Sequence, residues 1–431
     1  MLNWLKKLTF SFKITLWRFC LTVYKICSLS IGHVMQIVSS RYDFSPIRTA
    51  MQGYVDKQIL AGVSTAVLEG SDLVHLDCVG WADKENCIAL RPDHLFRVFS
   101  NTKLITSIAV LLLMEDGKLK LDDAIEIYLP QLGKRRVLRA GTSDINDTEA
   151  ARSSITIRHL LCHSSGLSYG WMDRNSTLYQ PYLKLKVFQA LTPLADLIDA
   201  LRDLPLAFHP GTAWEYSIAS DVLARLVEVV SGQRFDVFIQ ARILEPLQMA
   251  DTSFVVPEHK QPLLTAYYSG SDPLNKLNRG LKRQDNSPYP GAYLSPVPRL
   301  SGGAGLVSSL PDMLALMRSF MPDGSTLLKQ ETRTLMMRNH LPAGVGIAFP
   351  GVGYLPHKGF GLGGAVILQP SSMDPPGSAG EFEWGGIAGT HWWISPRHNL
   401  AGISMTQRQM SFWHPYSFEF KKLAYQAVGI R

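Results

Sequence analysis

Residues 96–119 read FRVFSNTKLITSIAVLLLMEDGKL, and their long apolar run predicts a buried helix over about residues 101–116. Gly117 follows at the C′ position, where glycine commonly ends a helix. A helix that is apolar on almost every side packs inside a large domain rather than on its surface. One lysine, Lys103, stands at the entry of this helix, three residues after Ser100. A lysine placed there calls for a chemical explanation.

Strand-like segments occur towards both ends of the chain, on either side of a mostly helical middle section. They read VSTAVLEG (63–70), LVHLDCVGWA (73–82), GFGLGGAVILQP (359–370), EWGGIAGTHWWISP (383–396) and LAGISMTQ (400–407). The last three segments are spaced like three strands joined by hairpins. We therefore predict one α+β domain over residues 41–431 whose sheet is assembled from both chain ends. The sheet part covers about 41–130 and 300–431, and the inserted, mainly helical part covers about 131–299.

The composition supports a large core, because 46% of the 431 residues are hydrophobic and only 18% are charged. The net charge is +7, and part of this excess lies at the N-terminus. No nucleic-acid-binding signature accompanies the positive charge, so we expect no nucleic-acid partner. Five cysteines in a chain of this length do not make a disulfide framework and do not fix the cellular compartment.

Residues 1–40 form a basic extension, and residues 1–32 are aromatic and basic without a single acid. Basic residues interrupt this segment too often for a membrane-spanning helix, and no clean secretory cleavage pattern is present. Its apolar and cationic residues partly separate onto two helix faces, which predicts peripheral contact with an anionic membrane. A poor signal sequence, a mitochondrial-type presequence and a helix packed on the protein itself are the alternatives. We favour a cytoplasmic or membrane-associated location and leave the oligomeric state open.

The spacing of Ser100 and Lys103 explains the buried lysine. Positions i and i+3 of a helix lie side by side, so the serine Oγ and the lysine Nζ can face the same point. A serine hydroxyl is a poor nucleophile until a base takes its proton. A lysine amine can be that base where burial or a neighbouring charge disfavours its ammonium form. Ser-x-x-Lys alone is a weak signal, since an N-cap serine followed by a surface lysine has the same pattern.

Two downstream features strengthen the signal. Tyr216 directly precedes a helix with one apolar face, where its phenol could enter a cleft and relay a proton. Gly385, Gly386 and Gly389 punctuate an aromatic strand, and glycines in a strand allow a ligand or another backbone to come close. An edge strand of this kind can offer a backbone N–H to an oxyanion. An ordinary half-buried tyrosine and an ordinary packed strand are the alternatives.

Together these stretches resemble the penicillin-recognising serine hydrolases, and most closely the esterases related to class C β-lactamases. Ser100-Asn-Thr-Lys103, Tyr216-Ser217-Ile218 and Trp384-Gly385-Gly386 follow each other in that family's order, and the likeness covers about residues 41–431. The resemblance implies a β-lactamase/DD-peptidase-like fold, with a mixed, largely antiparallel sheet flanked by helices. It implies no metal and no cofactor.

The resemblance also implies roles for individual residues. Ser100 would be the acyl nucleophile, Lys103 and Tyr216 would share the acid and base work, and the backbone N–H groups of Ser100 and Ile387 would hold the oxyanion. The β-lactamases usually carry asparagine where this chain has Ile218 and lysine where it has Trp384. An indole cannot pair with the carboxylate of a β-lactam. We therefore predict hydrolysis of a neutral, apolar carboxylic ester, or transfer of its acyl group.

Two alternatives remain: a β-lactamase or D-alanyl-D-alanine carboxypeptidase, and a non-catalytic binding member of the fold.

Ser168 in GLSYG (166–170) matches a nucleophile elbow, but a helix precedes it instead of a strand, so we predict a loop. His159, Cys162 and His163 have zinc-like spacing, yet no fourth ligand is evident, and we predict structural roles for them.

Overall fold

The computed structural model describes residues 37, 41–170, 172–186, 189–272, 275, 277–324, 327–350, 352–412 and 414–430. The predicted membrane-surface helix of residues 1–32 lies outside these ranges. Among the helices within these ranges, none has both the length and the apolar character needed to span a membrane.

Short helices and strands alternate along the chain, with strands concentrated in its first and last parts. The first 130 residues contain α1 (Ser45–Asp56), β1 (Gly62–Glu69), β2 (Asp72–Asp83), β3 (Ile88–Ala89), β4 (Leu95–Arg97) and α2 (Thr102–Glu115). The middle contains β5 (Arg136–Leu138), β6 (Thr148–Ala150), α3 (Ile157–Leu161), α4 (Tyr179–Lys184), α5 (Leu194–Arg202), α6 (Ala219–Ser231), α7 (Phe235–Ile239), β7 (Tyr268–Gly270) and β8 (Leu281–Arg283). The last part contains β9 (Val307–Ser309), α8 (Leu310–Arg318), α9 (Gln330–Met336), β10 (Ile347–Phe349), β11 (Gly353–Leu355), β12 (Lys358–Phe360), β13 (Ala365–Ile367), β14 (Phe382–Gly385), β15 (His391–Ser395), β16 (Leu400–Thr406) and α10 (Pro415–Ala427).

One eight-stranded sheet organises the domain, with strand order β12-β13-β14-β15-β16-β1-β2-β3. All of its neighbouring strands pair antiparallel. The β1–β16 ladder joins the two chain ends, running from Val63 opposite Thr406 to Glu69 opposite Leu400. The predicted α+β architecture, with a sheet built from both chain ends, is confirmed.

The C-terminal part of the sheet contains more strands than predicted. The stretches 359–370 and 383–396 were each expected to be one strand, but each holds a hairpin, so that five strands, β12 to β16, lie there. Glycines at the turns account for the difference: Gly363 and Gly389 both have positive φ, which lets the chain reverse within a short segment.

Helix α2 is buried along nearly its whole length, as its sequence predicts. Every residue from Thr102 to Leu113 is buried, including Lys103. The helix packs against α6, and against α7 beyond it. A fixed helix in the interior gives the groups at its N-terminal end a rigid support.

Candidate active site

Ser100 lies in a single 3-10 turn, Phe99–Asn101, that leads directly into α2. Phe99 has a φ of 43°, in the left-handed region that aromatic residues rarely adopt. Strained backbone of this kind is held in place by surrounding contacts and occurs often at functional sites. Ser100 itself is half-buried. The turn therefore presents a partly accessible hydroxyl at the start of a buried helix.

Tyr216 meets Ser100 directly, since its phenol OH donates to Ser100 Oγ over 2.7 Å. The segment before α6 holds this tyrosine in place through His163, whose backbone O accepts from Glu215 N over 3.0 Å. Ser217 Oγ lies 3.0 Å from His163 Nδ1, and the His163 and Tyr216 rings are 4.9 Å apart. Burial, aided by Lys103, lowers the pKa of His163 well below its usual value, so its imidazole is neutral.

Lys103 is buried beside the same tyrosine, with 2% of its surface exposed. Its Nζ donates to Gly303 O over 2.7 Å and to the Tyr169 OH over 3.3 Å. It also lies 4.7 Å from the centre of the Tyr216 ring. Ser100 and Lys103 therefore converge on Tyr216, whose hydroxyl contacts the serine and whose ring faces the ammonium.

The sequence patterns do not single out Tyr169 or Asp221, yet both adjoin Lys103. A Cβ built on Gly303 would lie 2.9 Å from Asp221 Oδ2, 2.9 Å from the Tyr169 OH and 3.2 Å from Lys103 Nζ. Gly303 thus leaves room for three polar groups to gather around its backbone. Burial, with Asp221 nearby, raises the pKa of Tyr169 well above its usual value, so this phenol stays protonated.

The glycines after Trp384 form a turn against the nucleophile. Strand β14 ends at Gly385, and Gly386 N donates to Thr390 O over 2.7 Å. A Cβ on Gly386 would lie 2.5 Å from Val98 O, so only glycine allows this approach. Asn101 Nδ2 also donates to Thr390 O over 3.3 Å. The 386–390 turn is thereby tied to both sides of Ser100.

Ile387 lies in this turn, where it is half-buried against Phe99 and Ala388. Strand β14 lies between β13 and β15, so it is not an edge strand over its whole length as expected. The β13 ladder reaches only Phe382 and Glu383, however, and Trp384 and Gly385 pair with β15 alone. The end of β14 that leads to Ile387 therefore has one side without a neighbouring strand.

Trp384 forms the centre of an aromatic cluster beside Tyr216. It is 3% exposed, and its ring centre lies 5.5 Å from that of Tyr216, 5.1 Å from Phe360 and 5.1 Å from Phe412. Within the described part of the chain, its indole N–H has no hydrogen-bond partner. Phe349, from the β10–β11 hairpin, adds a further ring 5.9 Å away. The position that a cationic lysine takes in β-lactamases is thus part of an apolar wall.

A buried ionic cluster holds β14 from the opposite face. Lys421 Nζ donates to Glu383 over 2.7 Å and to Glu381 over 3.0 Å, and Lys358 also pairs with Glu383. Although burial raises the pKa of Glu383, the two ammonium groups outweigh it and hold that pKa well below its usual value. Trp393 also faces this side, where it packs on Phe420 of α10. Of the two adjacent tryptophans in β15, only Trp392 therefore lies on the same face of the sheet as Trp384.

An open pocket adjoins the nucleophilic turn. Its walls are mostly apolar and include Phe99, Ile218, Phe254, Tyr289, Tyr293 and Val297. Asp221, Arg299 and Ser301 provide polar lining. An apolar cavity with a few polar groups is the usual form of a small-molecule site.

The remaining candidates lie in structural positions. GLSYG is a loop, as predicted, and Ser168 is buried with its Oγ accepting from Gly170 N over 2.7 Å. His159 caps the start of α3 with Thr156, and Cys162 is buried.

Comparisons with known proteins find similarity over most of the chain. A family model described as Beta-lactamase matches residues 47–416. Esterase EstB from Burkholderia gladioli is 30% identical over 359 residues, which cover 80% of this chain and 86% of that protein. Lovastatin esterase from Penicillium rubens is 32% identical over 339 residues, covering 73% and 80%.

Solved structures share the fold. EstCE1, a hydrolase with promiscuous acyltransferase activity, superposes with a TM-score of 0.73 at 22% identity, covering 88% of this chain and 98% of that one. The unliganded selenomethionyl simvastatin synthase (LovD) from Aspergillus terreus gives a TM-score of 0.72 at 23% identity, covering 89% and 98%.

Proposed function

Because the chain belongs to the beta-lactamase family, we propose that it is a serine hydrolase that cleaves carboxylic esters through an acyl-enzyme on Ser100. The family and fold expected from the three motifs are confirmed. The observation that carries the proposed chemistry is the 2.7 Å hydrogen bond between the Tyr216 hydroxyl and Ser100 Oγ, with Lys103 Nζ 4.7 Å from the centre of the same tyrosine ring.

The proposed reaction has two halves. The Tyr216–Lys103 pair acts after it has lost one proton: it accepts the proton of Ser100 as Oγ attacks the ester carbonyl, and it then gives that proton to the departing alcohol. Water attacks the resulting acyl-enzyme, and the same pair accepts and returns the proton. The backbone N–H groups of Ser100 and Ile387 would stabilise the oxyanion in both halves. The close packing of the 386–390 turn on Val98 supports this assignment.

Esters are favoured over β-lactams because of two side chains. Trp384 cannot form an ion pair with a substrate carboxylate, and its surroundings are aromatic. Ile218 is an apolar wall of the cavity where the β-lactamases usually have asparagine. The esterases among the relatives support this choice. An alcohol could replace water as the acyl acceptor, as the name of the Aspergillus terreus relative, monacolin J acid methylbutanoyltransferase, suggests for that protein.

We also propose that residues 1–32 hold the enzyme at an anionic membrane surface. The support is the basic, amphipathic pattern of the segment alone. In co-sedimentation with vesicles that contain anionic lipid, the full chain should pellet with the vesicles, and a chain that begins at residue 41 should stay in the supernatant. Equal binding of the two chains would contradict the proposal.

Intact-mass labelling with a fluorophosphonate, followed by peptide mapping, tests the nucleophile. We expect one adduct on Ser100 that is lost in Ser100→Ala and kept in the matched control Ser168→Ala. Turnover of p-nitrophenyl esters with no turnover of nitrocefin would then separate the esterase from the β-lactamase. A folded protein with no adduct would favour the non-catalytic alternative, and an adduct on Ser168 would contradict the assigned site.

A further inference from the structure

Two strained aromatic residues meet beside the nucleophile. Phe99, next to Ser100, has a φ of 43°, and Tyr293, in the irregular segment between β8 and β9, has a φ of 68°. Their ring centres lie 6.1 Å apart with the rings at 83° to each other, which is an edge-to-face contact. Backbone in the left-handed region persists only where surrounding contacts hold it. Each of these two residues therefore depends on its packing against the other.

Further contacts anchor Tyr293 on the framework of the site. The side chain is 6% exposed, and the backbone O accepts from Val256 N over 2.8 Å. Tyr293 belongs to a small apolar cluster with Leu95 of β4 and Val307 of β9, two strands that pair with each other. Strand β4 leads into the nucleophilic turn, and β9 follows the glycine-rich turn at residues 301–305. The tyrosine thus rests on the two strands next to both turns.

The hydroxyl of Tyr293 reaches the turn that holds Lys103. It donates to Ala304 O over 3.0 Å. Ala304 follows Gly303, whose backbone O accepts from Lys103 Nζ over 2.7 Å. One side chain therefore connects the two halves of the site: its ring contacts the residue before the nucleophile, and its hydroxyl binds the residue after the acceptor of the lysine.

We propose that Tyr293 is a positioning residue that, through these two neighbours, sets the geometry of Ser100 relative to Lys103. This inference rests on the proposed ester hydrolysis at Ser100. Ile387 also packs on Phe99, so a shift of that ring would disturb the expected oxyanion amide as well. A displacement of about 1 Å at the reacting groups can lower a rate about 10²-fold, even when the substituted residue lies outside the chemistry.

Two substitutions in the full chain test the proposal, with p-nitrophenyl acetate, butyrate and octanoate as substrates. Tyr293→Leu removes both the ring and the hydroxyl, and it should lower kcat about 10²-fold. Tyr293→Phe keeps the ring on Phe99 and loses only the bond to Ala304, so it should lower kcat by about two- to tenfold. The rate at which a short-chain fluorophosphonate labels Ser100 should fall in the same order.

The substrate series separates positioning from substrate contact, because Tyr293 also lines the pocket beside the nucleophilic turn. A residue that only contacts substrate would raise KM and would matter more as the acyl chain grows. A positioning residue lowers kcat by a similar factor at every chain length. Tyr268→Leu and Tyr268→Phe are the matched controls, since this tyrosine is also buried but lies in a separate small cluster. They should lose stability and keep their kcat.

A double-mutant cycle tests the route through Phe99. Phe99→Leu should itself lower kcat, because it removes the ring on which Tyr293 packs. The variant that combines Phe99→Leu with Tyr293→Leu should lose less than the product of the two single losses, since both changes remove the same contact. Single losses that simply multiply would overturn the route through Phe99.

Contrary results are distinct from failure of the proposed function. A Tyr293→Leu enzyme with the kcat and labelling rate of wild type, or with a loss confined to the longer acyl chains, would overturn the inference while leaving the esterase intact. If Tyr293→Leu does not fold, Tyr293→Phe decides, because a kcat equal to that of wild type would overturn the inference. Absence of all ester turnover and of fluorophosphonate labelling in wild type would instead refute the proposed function.

Discussion

Replacing Tyr216 with phenylalanine removes one oxygen from the site and leaves the ring. That oxygen makes the 2.7 Å hydrogen bond to Ser100 Oγ. The ring should stay in place because Trp384, Phe349 and His163 surround it with ring centres 4.9 to 5.6 Å away. The variant therefore separates the proton-transfer role of Tyr216 from its packing.

The expected loss of activity is large compared with the loss of stability. Positioned acid–base groups contribute about 10² to 10⁴ in rate, so kcat should fall by that factor, or by roughly 3 to 5 kcal/mol in activation free energy. One hydrogen bond contributes only about 0.5 to 1.5 kcal/mol to folding. The melting temperature should therefore change by only a few degrees.

The assay is steady-state hydrolysis of p-nitrophenyl acetate, with thermal unfolding followed on the same samples. Tyr268→Phe is the matched control, because its hydroxyl bonds to Lys84 N (2.9 Å) and to Glu85 (2.6 Å) in a separate small cluster. The control should lose similar stability and keep its kcat. A Tyr216→Phe enzyme within threefold of wild type would refute the proton-transfer role.

Three further predictions concern the lysine, the glycine turn and a buried acid. Lys103→Met should lower kcat at least 10³-fold, and it should also lower the melting temperature, because it removes a buried amine together with its bond to Gly303. A folded variant with a kcat within tenfold of wild type would count against the role of Lys103. Gly386→Ala should lower kcat about 10²–10³-fold, because the added Cβ pushes the 386–390 turn off Val98. Ser100 should still be labelled by the fluorophosphonate. A normal kcat would contradict the oxyanion assignment. Burial, with a neighbouring carboxylate, raises the pKa of Asp312 to about 7. The stability linked to this raised pKa is present below about pH 4 and is lost as the pH rises through 7. The melting temperature of wild type relative to Asp312→Asn should therefore fall over that range. Parallel curves of melting temperature against pH for the two proteins would refute the shift.

Local patterns were sufficient to predict the elements that carry the site. The apolar run after Ser100 predicted α2, and the order of three short motifs predicted that residues 100, 103 and 216 act together. The structure brings Tyr216 to Ser100 and Lys103 to Tyr216. Their catalytic roles remain predictions that the experiments above test.

Contacts between distant segments could not be read from local patterns. The pentapeptide that contains Tyr169 stands out only for its serine, and nothing in the sequence near Asp221 marks its approach to Gly303. Both depend on how two loops and the first turn of α6 meet around one lysine. The predicted number of strands was too low for a related reason, since in sequence a hairpin within a glycine-rich stretch looks like one long strand.

The β1–β16 ladder has a consequence for biosynthesis. Residue 63 pairs with residue 406, so the middle of the sheet cannot close until nearly the whole chain has left the ribosome. Until then β1 and β2 can form a hairpin, but β1 keeps one open edge made largely of buried apolar residues. Pairings so distant in sequence also make closure slow. The nascent enzyme thus passes through a period in which its central strand is available to other chains, and shielding by chaperones would be most valuable then.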